Sequence, residues 1–352
     1  MGETLMLNRT IQHNTPTTTL QGSRFRNVVA AAAIASASLL AVLPGTSWAS
    51  DDAANNAIRV AIAPTTTALP VVVADKEGYF KEAGLDVTYK VSNVTISDQL
   101  VTVGRQFDIA MGTQPALITA TQQGLQLVQI TSGALDTKAN PQAHFVVGPD
   151  SGIKSYADFA GKRLGTLSLT GNLHYAVLAN ALAAGVKLND INWVVGTVPQ
   201  MPDLLKAKRV AGIEEIQPFS RFAIANGGIS ISDPFRILGD KAFLGVFLAD
   251  KAWANSHESQ VLKFNKALQK AGVWIEKNKD KARALVGTYT GARGKVLAET
   301  TIPNFEFQTT AKEVETVMKP DLTTWIALLN KVTDQTVKVT ASDMLPSWGG
   351  GK

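Results

Sequence analysis

Cysteine is absent from all 352 residues. That absence excludes a lipid-modified cysteine at an export cleavage site, a disulfide framework and any thiolate metal centre. Histidine is scarce. The four present (His13, His144, His174, His257) are dispersed, and none stands at metal-ligand spacing with a carboxylate, so no metal is expected. A strong excess of one charge is also lacking. The formal net charge is +5, part of it from Arg9, Arg24 and Arg26 against Glu3 at the N-terminus, which is too mild a balance to indicate nucleic acid. The chain has no Gly-x-Ser-x-Gly elbow, no phosphate-loop signature and no nucleophile placed beside a base, so no catalytic residue and no cofactor are expected. Beyond one N-terminal run, no segment is long and apolar enough to span a bilayer.

That run has a recognisable layout. Scattered arginines precede an Ala-rich apolar stretch, Val28 to Leu43, and Pro44-Gly45-Thr46-Ser47-Trp48-Ala49 follows, with small residues at Ser47 and Ala49. This is the order of a cleavable secretory signal, and cleavage is expected after Ala49, making residues 1–49 a signal peptide. The stretch is diluted by Ser36 and Ser38 and is shorter than the ~20 apolar residues of a spanning helix, so a membrane anchor is the weaker reading. Arg24 and Arg26 are separated by Phe25 and are not the adjacent pair of the folded-protein export route. The mature part is expected to be soluble and free in a periplasm. Its length of about 300 residues exceeds what one core usually covers, so two domains are the prior.

Strands and helices alternate along the mature part. Ile58 to Ala63 reads as a buried strand, and Leu85 to Val91 alternates apolar and polar residues as a half-buried strand does. Asp108 to Met111 and Val128 to Ser132 are further short strands, and Pro115 suits the first turn of a helix running to Gln123. The pattern restarts at Phe145, with strands at Arg163 to Leu167, Asn192 to Val195 and Val210 to Ile216, and a helix from Leu173 to Ala184. Strands separated by helices imply mostly parallel sheets covered on both faces, and two such sheets are expected. Ser259 to Gly287 reads as one long amphipathic helical stretch, and Ala311 to Val332 as a second one broken by Pro320, both packing on the first lobe.

Ligands of open parallel sheets bind outside the carboxyl ends of the strands. Three loops that follow a strand and precede a helix share one composition: Pro64-Thr65-Thr66-Thr67, Gly112-Thr113-Gln114-Pro115 and Ser168-Leu169-Thr170-Gly171-Asn172. Taken singly, such residues are ordinary helix N-caps. Three on one sheet edge favour a cleft for a ligand with an acidic head, sulfonate or carboxylate, because free N–H groups at helix starts favour an anion.

Three motifs then carry a resemblance. Lys76-Glu77-Gly78-Tyr79-Phe80-Lys81-Glu82-Ala83-Gly84-Leu85-Asp86-Val87, Phe107-Asp108-Ile109-Ala110-Met111-Gly112 and Ala160-Gly161-Lys162-Arg163-Leu164-Gly165-Thr166 resemble the nitrate/sulfonate/taurine class of ABC-transporter solute-binding proteins, in matching order over nearly all of the mature chain. The resemblance implies an α/β type II periplasmic binding protein fold, two α/β lobes joined by a two-strand hinge. Lobe 1 would comprise residues 58–143 plus 241–348, and lobe 2 residues 144–240. It further implies a monomer that captures a small organic anion or zwitterion and hands it to an ABC permease and its ATPase at the inner membrane. Carried over by position, the ligand-binding residues would be Thr66, Thr67, Thr113, Gln114, Thr170, Gly171, Asn172 and His174. An enzyme of the same fold acting on a small metabolite, or a receptor presenting ligand to a sensor, are the alternatives.

The sequence departs from that class at Val210 to Phe219, where Glu214 and Glu215 stand before Gln217-Pro218. Alternation along a strand sends them to opposite faces, so one of the two is a candidate to enter the cleft and receive a ligand cation or N–H. A zwitterion or a nitrogen heterocycle would then fit better than a dianion. The other outcome for a glutamate here is pairing with Arg209 or Arg221, since Glu is almost never buried alone.

Overall fold

The computed structural model describes residues 56–334 and 336–348. The signal peptide expected over residues 1–49 lies outside them.

Five strands come first: β1 (Ala57–Ile62), β2 (Asp86–Val91), β3 (Ile109–Gly112), β4 (Leu127–Thr131) and β5 (Ala134–Thr137). A middle group follows with β6 (Ala143–Val147), β7 (Arg163–Thr166), β8 (Asn192–Val195), β9 (Gly212–Ile216) and β10 (Ile229–Ser232). The chain then returns through β11 (Lys241–Phe243), β12 (Val246–Asp250) and β13 (Asn304–Phe305). The first sheet has the order β2-β1-β3-β12-β4 and the second β10-β6-β9-β7-β8. Helices cover both, so strands such as β3, Ile109-Ala110-Met111-Gly112, are buried along their whole length and are apolar rather than alternating.

The sheets are less parallel than the helix–strand alternation predicts. β1 pairs parallel with β2 and β3, and β7 parallel with β8 and β9. β12 and β6, however, run antiparallel to their neighbours. Both strands flank the crossings between the sheets, and the return direction of the chain sets their orientation. The crossings lie side by side as β5 and β11, an antiparallel pair in the place of the expected two-strand hinge, and β13 extends it into a third, small sheet not anticipated from the sequence. Asp136 of β5 is fully buried there, ion-paired with Arg236, and it accepts backbone N–H bonds from Gln142 and Ala143 at 2.7 and 3.0 Å. Three donors on one carboxylate's two oxygens pin the two connections to each other. In the second sheet Gly212 of β9 is needed for contact: a Cβ there would stand 2.7 Å from the Phe145 ring.

Two helical expectations are corrected. The stretch from Ser259 to Gly287 is two helices, Glu258–Lys277 and Lys279–Thr290, because Asn278 leaves the helical backbone and its side chain bonds the carbonyl of Trp274 at 2.9 Å. Pro320 does not break the second stretch. Ala311–Val332 is one helix, and its buried face of Val314, Met318, Leu322, Trp325 and Leu329 runs unbroken past the proline. The lost hydrogen bond costs roughly 3 kcal/mol. Burying four large apolar side chains and a Trp at ~1.5–3 kcal/mol each exceeds it. That helix also packs against both Gln114–Gln122 and Asn172–Ala183, so it bridges the lobes instead of layering on the first alone. Glu258–Lys277 does lie on the first lobe, where Phe264 stacks on Phe80 at 5.4 Å.

Candidate functional site

The carboxyl ends of β1, β2 and β3 face loops of the second sheet across a cavity of ≈ 60 Å³. Ligand pockets usually measure ~300–1,000 Å³, so the two lobes stand closely apposed. Roomier hollows exist elsewhere, ≈ 520 Å³ beside Arg163 and Arg209 and ≈ 570 Å³ beside His174 and Trp193. Neither collects strand-end loops from both sheets, and the cleft does.

Of the three look-alike loops, two follow strands of the first sheet and the third follows β7 of the second. They therefore stand across the cleft from one another instead of along one edge. Thr113 is the N-cap of Gln114–Gln122, makes no capping bond, lines the cavity, and has a buried Oγ1 with no partner. Thr67 also lines the cavity and shares a 2.6 Å hydroxyl contact with Thr65. Thr66 is turned to the second lobe, its N–H donating to Gln217 O at 3.2 Å. Gln114 turns away, its amide donating to Asp321 of Ala311–Val332 at 2.7 Å.

The residues expected from the second lobe are engaged in direct bonds. Thr170 Oγ1 lies 2.9 Å from Ser97 Oγ of the first lobe. Asn172 donates to the carbonyls of Phe243 and Leu244 at 3.2 and 3.0 Å, reaching the segment between β11 and β12. Gly171 caps the helix in extended backbone, and a Cβ there would meet Ser168 at 3.4 Å, ordinary contact, so nothing local demands glycine.

The two glutamates do face opposite sides of β9, and neither is among the residues lining the cavity. Glu214 accepts from Thr166 Oγ1 at 2.7 Å and meets His174 Nδ1 at 2.8 Å. His174 is thereby held inside the second lobe, edge-on to Trp193 at 4.5 Å between ring centroids. Glu215 takes the N–H of Ile216 on one oxygen, and its other oxygen is buried without a partner. Burial drives its carboxyl well above the usual range, and the adjacent Glu214 adds to the effect. Neither glutamate pairs with Arg209 or Arg221. Burial likewise lifts the Asp321 carboxyl to about 6, against the lowering by the Gln114 bond.

Several lining residues escape a reading from sequence: Asn93, Thr95, Gln99 and Thr197. A signal existed for Thr95, the N-cap of the short helix Ile96–Leu100, whose hydroxyl accepts the Asp98 N–H at 3.2 Å. Gln99 carries none, since only the fold brings its amide to the carbonyl of Met111 at 2.7 Å. Among the described residues no group of three or more His, Cys, Asp or Glu could hold a metal ion, and no helix is long and apolar enough to cross a membrane.

Two α/β sheets joined by paired crossings, with strand-end loops converging between them, define a periplasmic-binding-protein fold. Solved structures share it. The alkanesulfonate-binding protein SsuA from Xanthomonas axonopodis pv. citri, bound to MOPS, superposes with a TM-score of 0.67 at 14% identity, over 82% of this chain and 97% of that one. The periplasmic nitrate-binding protein NrtA from Synechocystis PCC 6803 gives 0.62 at 14% identity, over 83% and 91%. In sequence, residues 65–282 match the family described as NMT1/THI5 like, and the chain belongs to that family. A putative thiamine biosynthesis protein from Haemophilus influenzae (strain ATCC 51907 / DSM 11121 / KW20 / Rd) is 29% identical over 131 residues, 35% of this chain and 39% of that relative's length.

Proposed function

We propose that the protein is the solute-binding component of an ABC importer, exported to the periplasm by its N-terminal leader and not lipid-anchored. Residues 58–143 plus 241–348 form one lobe in this reading and residues 144–240 the other. They close as a monomer on a small organic anion of the sulfonate or carboxylate type, and the closed form docks on the permease. The observation that carries the reading is the cleft itself. Thr66 to Gln217, Ser97 to Thr170 and Asn172 to Leu244 are direct lobe-to-lobe bonds that surround one cavity, the arrangement expected where closure and capture are one event.

The relative named for thiamine biosynthesis motivates the second reading, an enzyme. Against it stands the lining: among the described residues, apart from hydroxyls, it offers no nucleophile and no acid or base. Thermal melting against sulfonates, nitrate, carboxylates and pyrimidines separates the two, because a ligand bound only by the native state raises the midpoint by mass action. A compound that is chemically consumed would replace the binding reading by the enzymatic one. Replacing Asn172 with Ala removes one bridge between the lobes and is expected to weaken ligand binding about tenfold, the equivalent of one hydrogen bond of ~1.4 kcal/mol. Titration calorimetry reads it, and unchanged affinity would remove this loop from the site.

A further inference from the structure

Resting on that reading, we infer that the cleft selects against a cationic group on its ligand: it takes an anion that carries no ammonium, and so discriminates between otherwise matched sulfonates or carboxylates. Among the described residues, none that lines the cavity is Asp, Glu, Lys, Arg or His. What the lining offers is hydroxyls, amides and apolar surface.

An anion finds neutral donors in that inventory. Thr113 Oγ1 is buried, without a partner, and borders the cavity at the start of a nine-residue helix. First-turn N–H groups have no intrahelical acceptor, and the helix end favours negative charge. A hydroxyl and such N–H groups suffice to hold an oxygen-rich anionic head without a counter-ion.

Among the described residues an ammonium has no such partner, because the carboxylates near the cleft are committed or face elsewhere. Glu214 is held by Thr166 and His174 within the second lobe. Glu215 lies on the opposite face of β9, outside the lining, and burial keeps its carboxyl protonated to higher pH than usual. Asp136 is ion-paired with Arg236 within the crossings. Asp98, next to the lining in sequence, is exposed and takes the Thr95 hydroxyl at 2.8 Å. A cation closed into this cavity loses water and gains no opposite charge, the costly case for a buried ion.

Titration calorimetry of the purified protein with two matched pairs tests the inference: ethanesulfonate against taurine, and propionate against β-alanine. The amine-free member of each pair that binds is expected to be tighter by at least about tenfold. Equal or tighter binding of the ammonium member overturns the inference and leaves the binding reading standing. If all four fail while a compound outside these classes raises the melting midpoint, the anionic head is overturned. If no compound of any class binds, the binding reading falls as well. Val94→Glu, at an exposed position in the lining, supplies the missing carboxylate and is expected to narrow the gap within each pair. An unchanged gap in a variant with wild-type melting refutes the charge argument. Thr113→Val is expected to weaken the amine-free member about tenfold, and unchanged affinity removes the head from that helix start.

Discussion

The polar residues of the two lobes that meet at the cleft differ in how they are occupied. On the first lobe Thr113 and Thr67 border the cavity, and the Thr113 hydroxyl has no partner. On the second lobe Thr170, Asn172, His174 and Glu214 are all bonded, the first two across to the opposite lobe and the last two to each other. The first lobe therefore presents groups ready for a ligand, while those of the second hold the closed geometry and its own interior. Thr66 and Ser97 of the first lobe also bond across the cleft, so residue types that look alike in sequence divide into receptors and fasteners by what the fold sets against them.

The sharpest way to break this contrast is at the buried pair. Glu214→Ala leaves His174 without its acceptor in a fully buried site and takes the shorter of two bonds from Thr166, and a loss of roughly 3–5 kcal/mol is expected. Glu214→Gln should cost less, because an amide oxygen still accepts from one of them. Thr113→Val, on the other lobe, removes a hydroxyl that bonds nothing and should leave stability nearly unchanged. Urea denaturation of the three variants measures this. Equal losses for Glu214→Ala and Thr113→Val would erase the distinction between the lobes.

A smaller effect of opposite sign is expected at Asp321, behind the first lobe's receptor loop. Burial pushes its carboxyl up to about 6, above the ordinary aspartate range. An acid whose folded pKa is raised favours the native state below its unfolded pKa, and that advantage is lost as pH rises through the folded one. At pH 7 the ionised, buried side chain therefore costs stability. Asp321→Asn keeps an acceptor for Gln114 and is expected to stabilise by up to about 3 kcal/mol at pH 7, the gain shrinking between pH 6 and pH 4. Melting midpoints across that range report it, and a gain independent of pH would assign the effect to packing.

The same contrast marks what is legible from residues alone. Local features read well: β1 as a short buried strand, β2 as an alternating half-buried one, and Thr113 as a strand-to-helix N-cap. Pairings between distant segments do not. His174 meets Glu214 only because β7 lies beside β9 and the helix after β7 crosses over it, forty positions apart in the chain. Asn172 reaches Leu244 across a lobe boundary. The third sheet escapes for another reason, since strands as short as Asn304–Phe305 show no periodicity. Pro320 misleads because a local helix breaker is overridden by a continuous buried face.

The smallest predicted effect probes the fasteners at the mouth of the cleft. Ser97 is exposed, and its hydroxyl meets Thr170 at 2.9 Å and Ser168 at 3.3 Å, bonds that solvent can replace once the lobes part. Ser97→Ala should therefore change global stability by less than about 0.5 kcal/mol. Its expected signature is kinetic: a faster ligand off-rate with little change in on-rate, since interface changes act mainly through dissociation. Stopped-flow displacement measures both rates. A variant that lost stability instead would place Ser97 among the structural groups of the first lobe, and the division between receptors and fasteners would have to be redrawn at this edge.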